Sequence, residues 1–306
     1  MSHSATPSGD PGGRRAVAAA MRAFVAGDAL GVPWEGAPPG EVDRGRLFDV
    51  PASRGWPRGA TSDDTAQMML VARLIADTGG RPAAEEFMLR LSAEADRIRG
   101  TGPTTRLALR HFAATGVLPP PPGDPRTGAT NGAAMRMAPV GWAVPASDPH
   151  RRRDLAAELA RGTHPSPLAI GAACLVAAMA SRGLDGTDGI LDAAVSEAEW
   201  LGRPEFDDVR RAAEGDWRPP PGGVTIDAVQ TLAAVAHVVR RSTDLVEAQT
   251  YAVTLGGDTD TVAAIVGGVL GGAPGQGGPV WWDRVWFPED AEVDELAARL
   301  AALRAA

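Results

Sequence analysis

Two short segments far apart in the chain carry more carboxylate than local structure needs. Ser62-Asp-Asp-Thr65 precedes the apolar positions Met68, Met69, Val71, Leu74 and Ile75, and Gly256-Gly-Asp-Thr-Asp-Thr261 precedes Val262 to Leu270. Both therefore read as helix starts. Asp, Ser and Thr are favoured there because a side-chain oxygen can accept from a free backbone N–H. One acceptor satisfies a cap, and each segment supplies several. Residues one or two apart do not share a helix face, so Asp258, Asp260 and Thr261 converge only where the chain is still entering its helix. Gly256 and Gly257 permit the turn this requires. Adjacent Asp63 and Asp64 repel each other unless a cation lies beside them.

The chemistry such a set supports is that of a hard metal. Asp63, Asp64, Asp258 and Asp260, with the hydroxyls of Ser62 and Thr261, offer only oxygen, which selects Mg²⁺, Mn²⁺ or Ca²⁺ over zinc. These carboxylates exceed the charge of one buried divalent ion, whereas two ions balance them. A pair of divalent cations ~3.5–4 Å apart can activate water and hold an oxygen-rich substrate. The histidines add no metal spacing: His3, His111, His150 and His237 are scattered. His164, in Gly162-Thr-His-Pro165, stands at the start of an apolar helix, a position where loop residues often contact ligands. Thr127-Gly-Ala-Thr-Asn-Gly-Ala-Ala-Met-Arg-Met137 is a glycine-bearing turn running into a helix, and such a start can hold an anionic group on backbone N–H groups.

The elements that must position these residues are helices, since no convincing run of alternating β-branched residues occurs. Helical spacing predicts a helix from Arg14 to Ala26, ending at Gly27-Asp-Ala-Leu-Gly31, and another starting at Ser62. Others follow at Ala83–Ile98, Thr104–Ala114 and through Met135 and Val140. The rest of the chain gives Arg151–Arg161, Pro167–Ser181, Thr187–Leu201, Thr225–Arg241, Asp244–Thr254, Thr259–Gly271 and Asp290–Ala305. The Pro-rich stretches Leu118 to Pro125 and Arg218 to Gly223 are loops. The expectation is an all-α, single-domain fold over 14–306 behind a disordered tail, 1–13, rich in Ser, Pro and Gly.

Composition narrows the function classes. A formal charge of −8 over 306 residues argues against a binder of nucleic-acid backbone. Aromatics at only 5%, with Ala, Val and Leu carrying the apolar fraction, suit helices packed closely through small residues. The one cysteine, Cys174, lies in an apolar run and reads as core, which fits a reducing compartment. Arg14-Arg15 is not followed by the clean apolar segment of a twin-arginine signal, since Arg22 and Asp28 interrupt it. No apolar run approaches the ~20 residues that span a bilayer. Gly267-Gly-Val-Leu-Gly271 reads as close helix packing. A cytoplasmic monomer without membrane contact is expected.

Five motifs in order, Gly27-Asp-Ala-Leu-Gly-Val-Pro-Trp-Glu35, Ser62-Asp-Asp-Thr65, Asn131-Gly-Ala-Ala-Met-Arg136, Thr163-His164 and Gly256-Gly-Asp-Thr-Asp-Thr261, resemble those of the ADP-ribosylglycohydrolases. The resemblance covers about residues 15 to 275. It implies an all-α orthogonal bundle with two Mg²⁺ or Mn²⁺ ions in a central cleft, removing ADP-ribose from a modified protein side chain or small conjugate. By motif, Ser62, Asp63 and Asp64 would bind one side of the metal pair and Asp258, Asp260 and Thr261 the other. Glu35 matches the acidic residue at the cleft, and Glu35, Asp63 and Asp64 are the candidate bases. Gly128, Thr130, Asn131 and Gly132 match the loop around the distal ribose and phosphates, and His164 a substrate-contacting histidine.

Two departures stand out. Ser62 replaces a common Thr and keeps the hydroxyl. Gly100, in Gly100-Thr-Gly-Pro-Thr-Thr105, stands where many members carry an acid, which implies weaker discrimination for arginine-linked ADP-ribose. The alternatives are an inactive ADP-ribose-binding or structural homologue, and a metal-dependent nucleotide phosphoesterase.

Overall fold

The computed structural model describes residues 13–306; positions 1–12 of the expected tail lie outside the described residues. The first helix, α1, spans Arg14–Gly31, and short 3₁₀ turns lead from it to α2 at Asp63–Asp77. Next come α3 (Ala84–Glu94), α4 (Pro103–Thr115), α5 (Ala138–Ala143), α6 (Pro149–Arg161) and α7 (Pro167–Gly183). The chain closes with α8 (Ile190–Leu201), α9 (Asp207–Glu214), α10 (Ala228–Arg241), α11 (Leu245–Thr254), α12 (Thr259–Leu270) and α13 (Asp290–Ala305). The described residues form no strand, only isolated bridges, among them Thr130 to Asp227 and Val224 to Gly257. The fold is all-α, as expected.

One pair of helices organises the rest. α1 packs against α12 so closely that backbone faces backbone: a Cβ at Gly27 would lie 2.2 Å from the Ala263 carbonyl oxygen, and one at Gly267 would lie 2.2 Å from that of Ala23. The partners run in opposite order, so the helices are antiparallel. The expected Gly267–Gly271 packing motif lies against Ala19 and Ala23, and a second one, Gly27–Gly31, lies against Ala263, Thr259 and Asp260. Gln249 seals the contact from α11, its amide donating to the carbonyls of Ala23 at 2.7 Å and Ala263 at 3.1 Å. Antiparallel packing at this distance puts the last turn of α1 beside the first turn of α12.

A continuous apolar core joins Val17 on α1 to Ala301 on α13. Cys174 is buried in it as expected, its thiol pushed up to about 12 by burial. One expectation needs correcting: α1 with the turn after it, Arg14–Trp34, is long and apolar enough to span a bilayer by length and composition. The interruption by Arg22 and Asp28 still leaves its mean hydropathy high enough for a span. Most of this stretch, 78%, is buried inside the fold, because it is the central core helix.

Candidate functional site

The first turn of α2 is held by a residue that local sequence did not single out. Asp28 on α1 is fully buried. Its two oxygens accept the Ser62 N–H, each at 3.1 Å, and one of them also takes the Thr65 N–H at 3.0 Å and the Thr65 hydroxyl at 2.5 Å. These donors are the free N–H groups of a helix start, so Asp28 fixes where α2 begins. Ser62 caps α2 as well, accepting from the Asp64 N–H at 3.1 Å. The signal for Asp28 was its place as the single acid on an otherwise apolar helix; its partners are tertiary.

With capping satisfied, the neighbouring carboxylates are surplus. Asp63 accepts from the Gln67 amide at 2.8 Å. Asp64 is 2% exposed and its Oδ2 has no hydrogen-bond partner. At the start of α12 the capping reading fails: Asp258 makes no side-chain cap, and instead accepts from the Asn131 amide. Asp260 accepts its neighbour's N–H, that of Thr261, at 3.0 Å.

Burial is the first cause raising all these acids. It moves Asp28 and Asp258 up to about 6, and, with the charges of Asp28 and Asp258, Asp63 to about 7. Asp64 is held well above the carboxylate range by burial and then by the charges of Asp28, Asp63 and Asp258, and Asp260 by burial and then by those of Asp258 and Asp64. A cluster of this kind is stable as anions only beside compensating positive charge.

The donor set fits a hard cation. One oxygen each from Asp28, Asp64 and Asp260 lie within 4.8 Å of one another, the spread that oxygens at ~2.0–2.6 Å from a common Mg²⁺ or Ca²⁺ would have. Among the described residues this is the one such cluster. The sequence reading named Asp64 and Asp260 and passed over Asp28. Asp63, Asp258, Ser62 and Thr261 border the same space.

Asp64 and Asp260 of the cluster line a cleft of about 170 Å³. Glu35, Thr130, Asn131, Gly132 and His164 line it too. Gly128 does not; it lies behind Thr104, in the left-handed conformation at φ 68°. Asn131 spans the cleft floor, donating to Thr231 at 2.9 Å as well as to Asp258. The loop before α10 is stitched to both walls: Asn131 N–H donates to the Ile226 carbonyl at 2.9 Å and Asp258 N–H to that of Val224 at 2.8 Å. This leaves Ile226, 48% exposed, at the cleft, a residue with no signal in local sequence. Glu35 stands at the mouth, paired with the guanidinium of Arg54, which also donates to the Glu35 carbonyl at 2.6 Å.

His164 is 1% exposed. Its ring packs against Gly132, where a Cβ would meet Cε1 at 2.8 Å. Burial, and then the charge of Arg136, hold its pKa well below the usual value, so the ring is neutral. Arg136 is fully buried and stacks on Phe87, 4.4 Å from the ring centroid. The sequence reading had Arg136 inside a motif but gave it no role.

Comparisons with known proteins agree with this geometry. Residues 10–306 match the family model of the ADP-ribosylglycohydrolases. The ADP-ribosyl-[dinitrogen reductase] glycohydrolase of Rhodospirillum rubrum is 29% identical over 263 residues, covering 84% of each chain. An uncharacterized protein of Archaeoglobus fulgidus is 30% identical, covering 90% of this chain and 93% of its own. A solved structure described as an ADP-ribosylglycohydrolase-related protein complex superposes with a TM-score of 0.77 at 29% identity, covering 95% of this chain and 98% of that one. With an acidic cluster of cation-binding spacing in its cleft and a family match over nearly its whole length, the chain belongs to the ADP-ribosylglycohydrolase family.

Proposed function

We propose that the protein hydrolyses the glycosidic bond of ADP-ribosyl conjugates, releasing ADP-ribose from a modified protein side chain or small molecule, with two divalent cations, Mg²⁺ or Mn²⁺, as cofactors. The observation that carries this reading is the convergence of Asp28, Asp64 and Asp260 within 4.8 Å at the cleft, with a neutral histidine and an amide-bearing loop along its length. Asp28, Asp64 and Asp260 would hold one cation. Asp63, Asp258, Thr261 and Ser62 are the further oxygens at hand for a second. Bound there, the cations supply charge that polarises sugar and water oxygens.

The chain's own groups account for the remaining chemistry. Breaking the bond at C1″ of the distal ribose builds positive charge on the sugar ring, and the carboxylates around it stabilise that charge. Water adds to C1″, the bond to the leaving atom breaks, and the leaving atom takes a proton. A carboxylate must remove the proton from that water. The candidates are Asp63, Asp64 and Glu35, all of which line the cleft. Asn131 holds Asp258 in place, and Gly132 admits the His164 ring to the cleft.

The test is product analysis on a panel of arginine-linked, serine-linked and small O-linked ADP-ribose conjugates, with Mg²⁺, with Mn²⁺ and with chelator. Metal-dependent release of free ADP-ribose is the expected result. AMP as product would replace this reading with a phosphoesterase, and binding without turnover would replace it with a binding module.

A further inference from the structure

A line of hydrogen bonds leaves the buried guanidinium of Arg136 and ends in the cleft. Arg136 donates to the Thr163 hydroxyl at 2.7 Å. That hydroxyl lies 2.7 Å from His164 Nδ1, and His164 Nε2 lies 2.9 Å from the Thr130 hydroxyl. The Thr130 hydroxyl in turn lies 3.0 Å from that of Thr104. The direction of the bonds follows from the buried end. A guanidinium only donates, so Thr163 accepts from it, and the buried Thr163 hydroxyl has Nδ1 as the one acceptor for its own proton among the described residues. His164 then carries its proton on Nε2 and gives it to the Thr130 hydroxyl, which passes its own proton to Thr104.

We propose that Arg136 is a positioning residue which, through Thr163, fixes the Nε2–H tautomer of His164 and so aims the Thr104 hydroxyl proton into the cleft, toward an acceptor-only oxygen such as that of a phosphate. Thr104 lines the cleft, and its methyl group is turned toward Gly128. Its hydroxyl accepts from Thr130, and its proton has no acceptor among the described residues. A hydroxyl with a free tautomer behind it would present either a proton or a lone pair. This one presents a proton only, which discriminates phosphate oxygen from a donor group of the same size. The guanidinium is itself immobile: it also donates to the Gly132 carbonyl at 2.7 Å, the Leu159 carbonyl at 3.2 Å and the Gln67 amide oxygen at 3.0 Å. The Gln67 bond turns that amide's NH₂ toward Asp63, so one buried cation orients groups on both walls.

The phosphate assignment rests on the proposed ADP-ribose substrate; the tautomer does not. The experiment reads both. Ring ¹⁵N chemical shifts of His164, assigned by its loss in His164→Gln, are measured in the wild type, Thr163→Ser and the nearly isosteric Thr163→Val. The wild type and Thr163→Ser should show Nε2 protonated and Nδ1 bare, and Thr163→Val a shift toward Nδ1–H. ADP-ribose affinity by calorimetry should fall about three- to tenfold in Thr163→Val and in Thr104→Val, the scale of one hydrogen bond. The double variant should be no weaker than the weaker single, because both act on one path. A wild type with Nδ1 protonated overturns the proposal even where a variant does not fold. Thr163→Val with an unchanged tautomer, or losses that multiply in the double variant, overturns it as well. A wild type with the expected tautomer that binds inorganic pyrophosphate but not ADP-ribose would sink the functional reading and leave this one standing.

Discussion

Asp28 and Asp64 are both buried acids of the same cluster, yet their surroundings ask opposite things of them. Asp28 accepts backbone and hydroxyl protons on both oxygens, whereas Asp64 has an oxygen with no donor and three acidic neighbours raising it further. Removing the charge should therefore separate structure from chemistry. Asp28→Asn turns an amide NH₂ toward donors and should cost about 1–3 kcal/mol of stability. Asp64→Asn relieves repulsion, so the metal-free protein should melt no lower than the wild type while turnover falls about 100-fold or more. Thermal unfolding in chelator beside kcat with Mg²⁺ measures both; a destabilised Asp64→Asn would return that residue to a capping role. Leaving-group preference is also set residue by residue. Gly100 takes φ 85°, and a Cβ there would lie 3.1 Å from Asp63 and 3.3 Å from Trp56. The position thus faces the cleft but has no room for an acid. The carboxylate at the mouth, Glu35, is already paired with Arg54, itself in the left-handed region at φ 53°. Serine-linked ADP-ribose should be turned over with higher kcat/KM than arginine-linked, and Arg54→Ala should raise the arginine-linked value relative to the other by freeing Glu35. A wild type selective for the arginine linkage would count against this account.

At the scale of elements, the cleft depends on how closely α1 and α12 approach. A Cβ at Gly31 would lie 2.3 Å from Asp260 Cα, so Gly31→Ala must push the start of α12 away from Asp28. It should lower the melting temperature, by an overpacking cost of about 1–3 kcal/mol, and abolish turnover assayed well below that temperature. Gly267→Ala, one end further from the cluster, should cost similar stability and less activity. An equal loss in both would mean that the helix pair moves as a rigid unit. The same pair explains what local sequence revealed. The paired acids at Ser62–Thr65 and Asp258–Thr261 were legible because each is a contiguous motif whose surplus over capping can be counted. Asp28 was not, since glycines at 27 and 31 read as the end of a helix that in fact continues through them to make the close contact. Arg136 had no signal of its own within its motif, and its role shows only in its tertiary acceptors. Helix bounds shifted for similar reasons. α10 begins at Ala228 and not Thr225, because Asp227 caps it, accepting from Gln230 N–H at 2.9 Å, and the residues before it bridge to the cleft wall. The expected helix through Met135 is a run of turns from Asn131, and α5 starts only at Ala138 with Pro139 in its first turn. α3 stops at Glu94, short of Ile98, and α9, short and highly charged, has no apolar stripe long enough to count.

For the whole molecule, the buried acids tie stability to pH and to metal. Asp28, Asp63 and Asp258 are raised to about 6, 7 and 6, while in the unfolded chain an Asp titrates near 3.9. Between those limits the folded state binds more protons than the unfolded one. Stability then falls as pH rises, because its slope follows the difference in bound protons, unfolded minus folded. The metal-free protein should therefore be most stable in mild acid and lose stability progressively between about pH 4 and pH 7 through this cluster. Divalent cations act in the other direction. They bind the deprotonated carboxylates, so their affinity grows over the same window, and binding to the folded state alone raises stability by linkage. Added Mg²⁺ or Mn²⁺ should thus raise the melting temperature strongly at pH 7.5 and little at pH 5, and the two curves, with metal and with chelator, should converge on the acid side. Asp64→Asn should flatten both the chelator curve and the metal response. A metal-free protein whose melting temperature rises steadily from pH 5 to pH 7.5 would mean that the cluster is ionised and compensated within the fold. The positive charge would then have to come from the chain itself, where Arg136, acting through Gln67 on Asp63, is the nearest buried cation described by the hydrogen bonds.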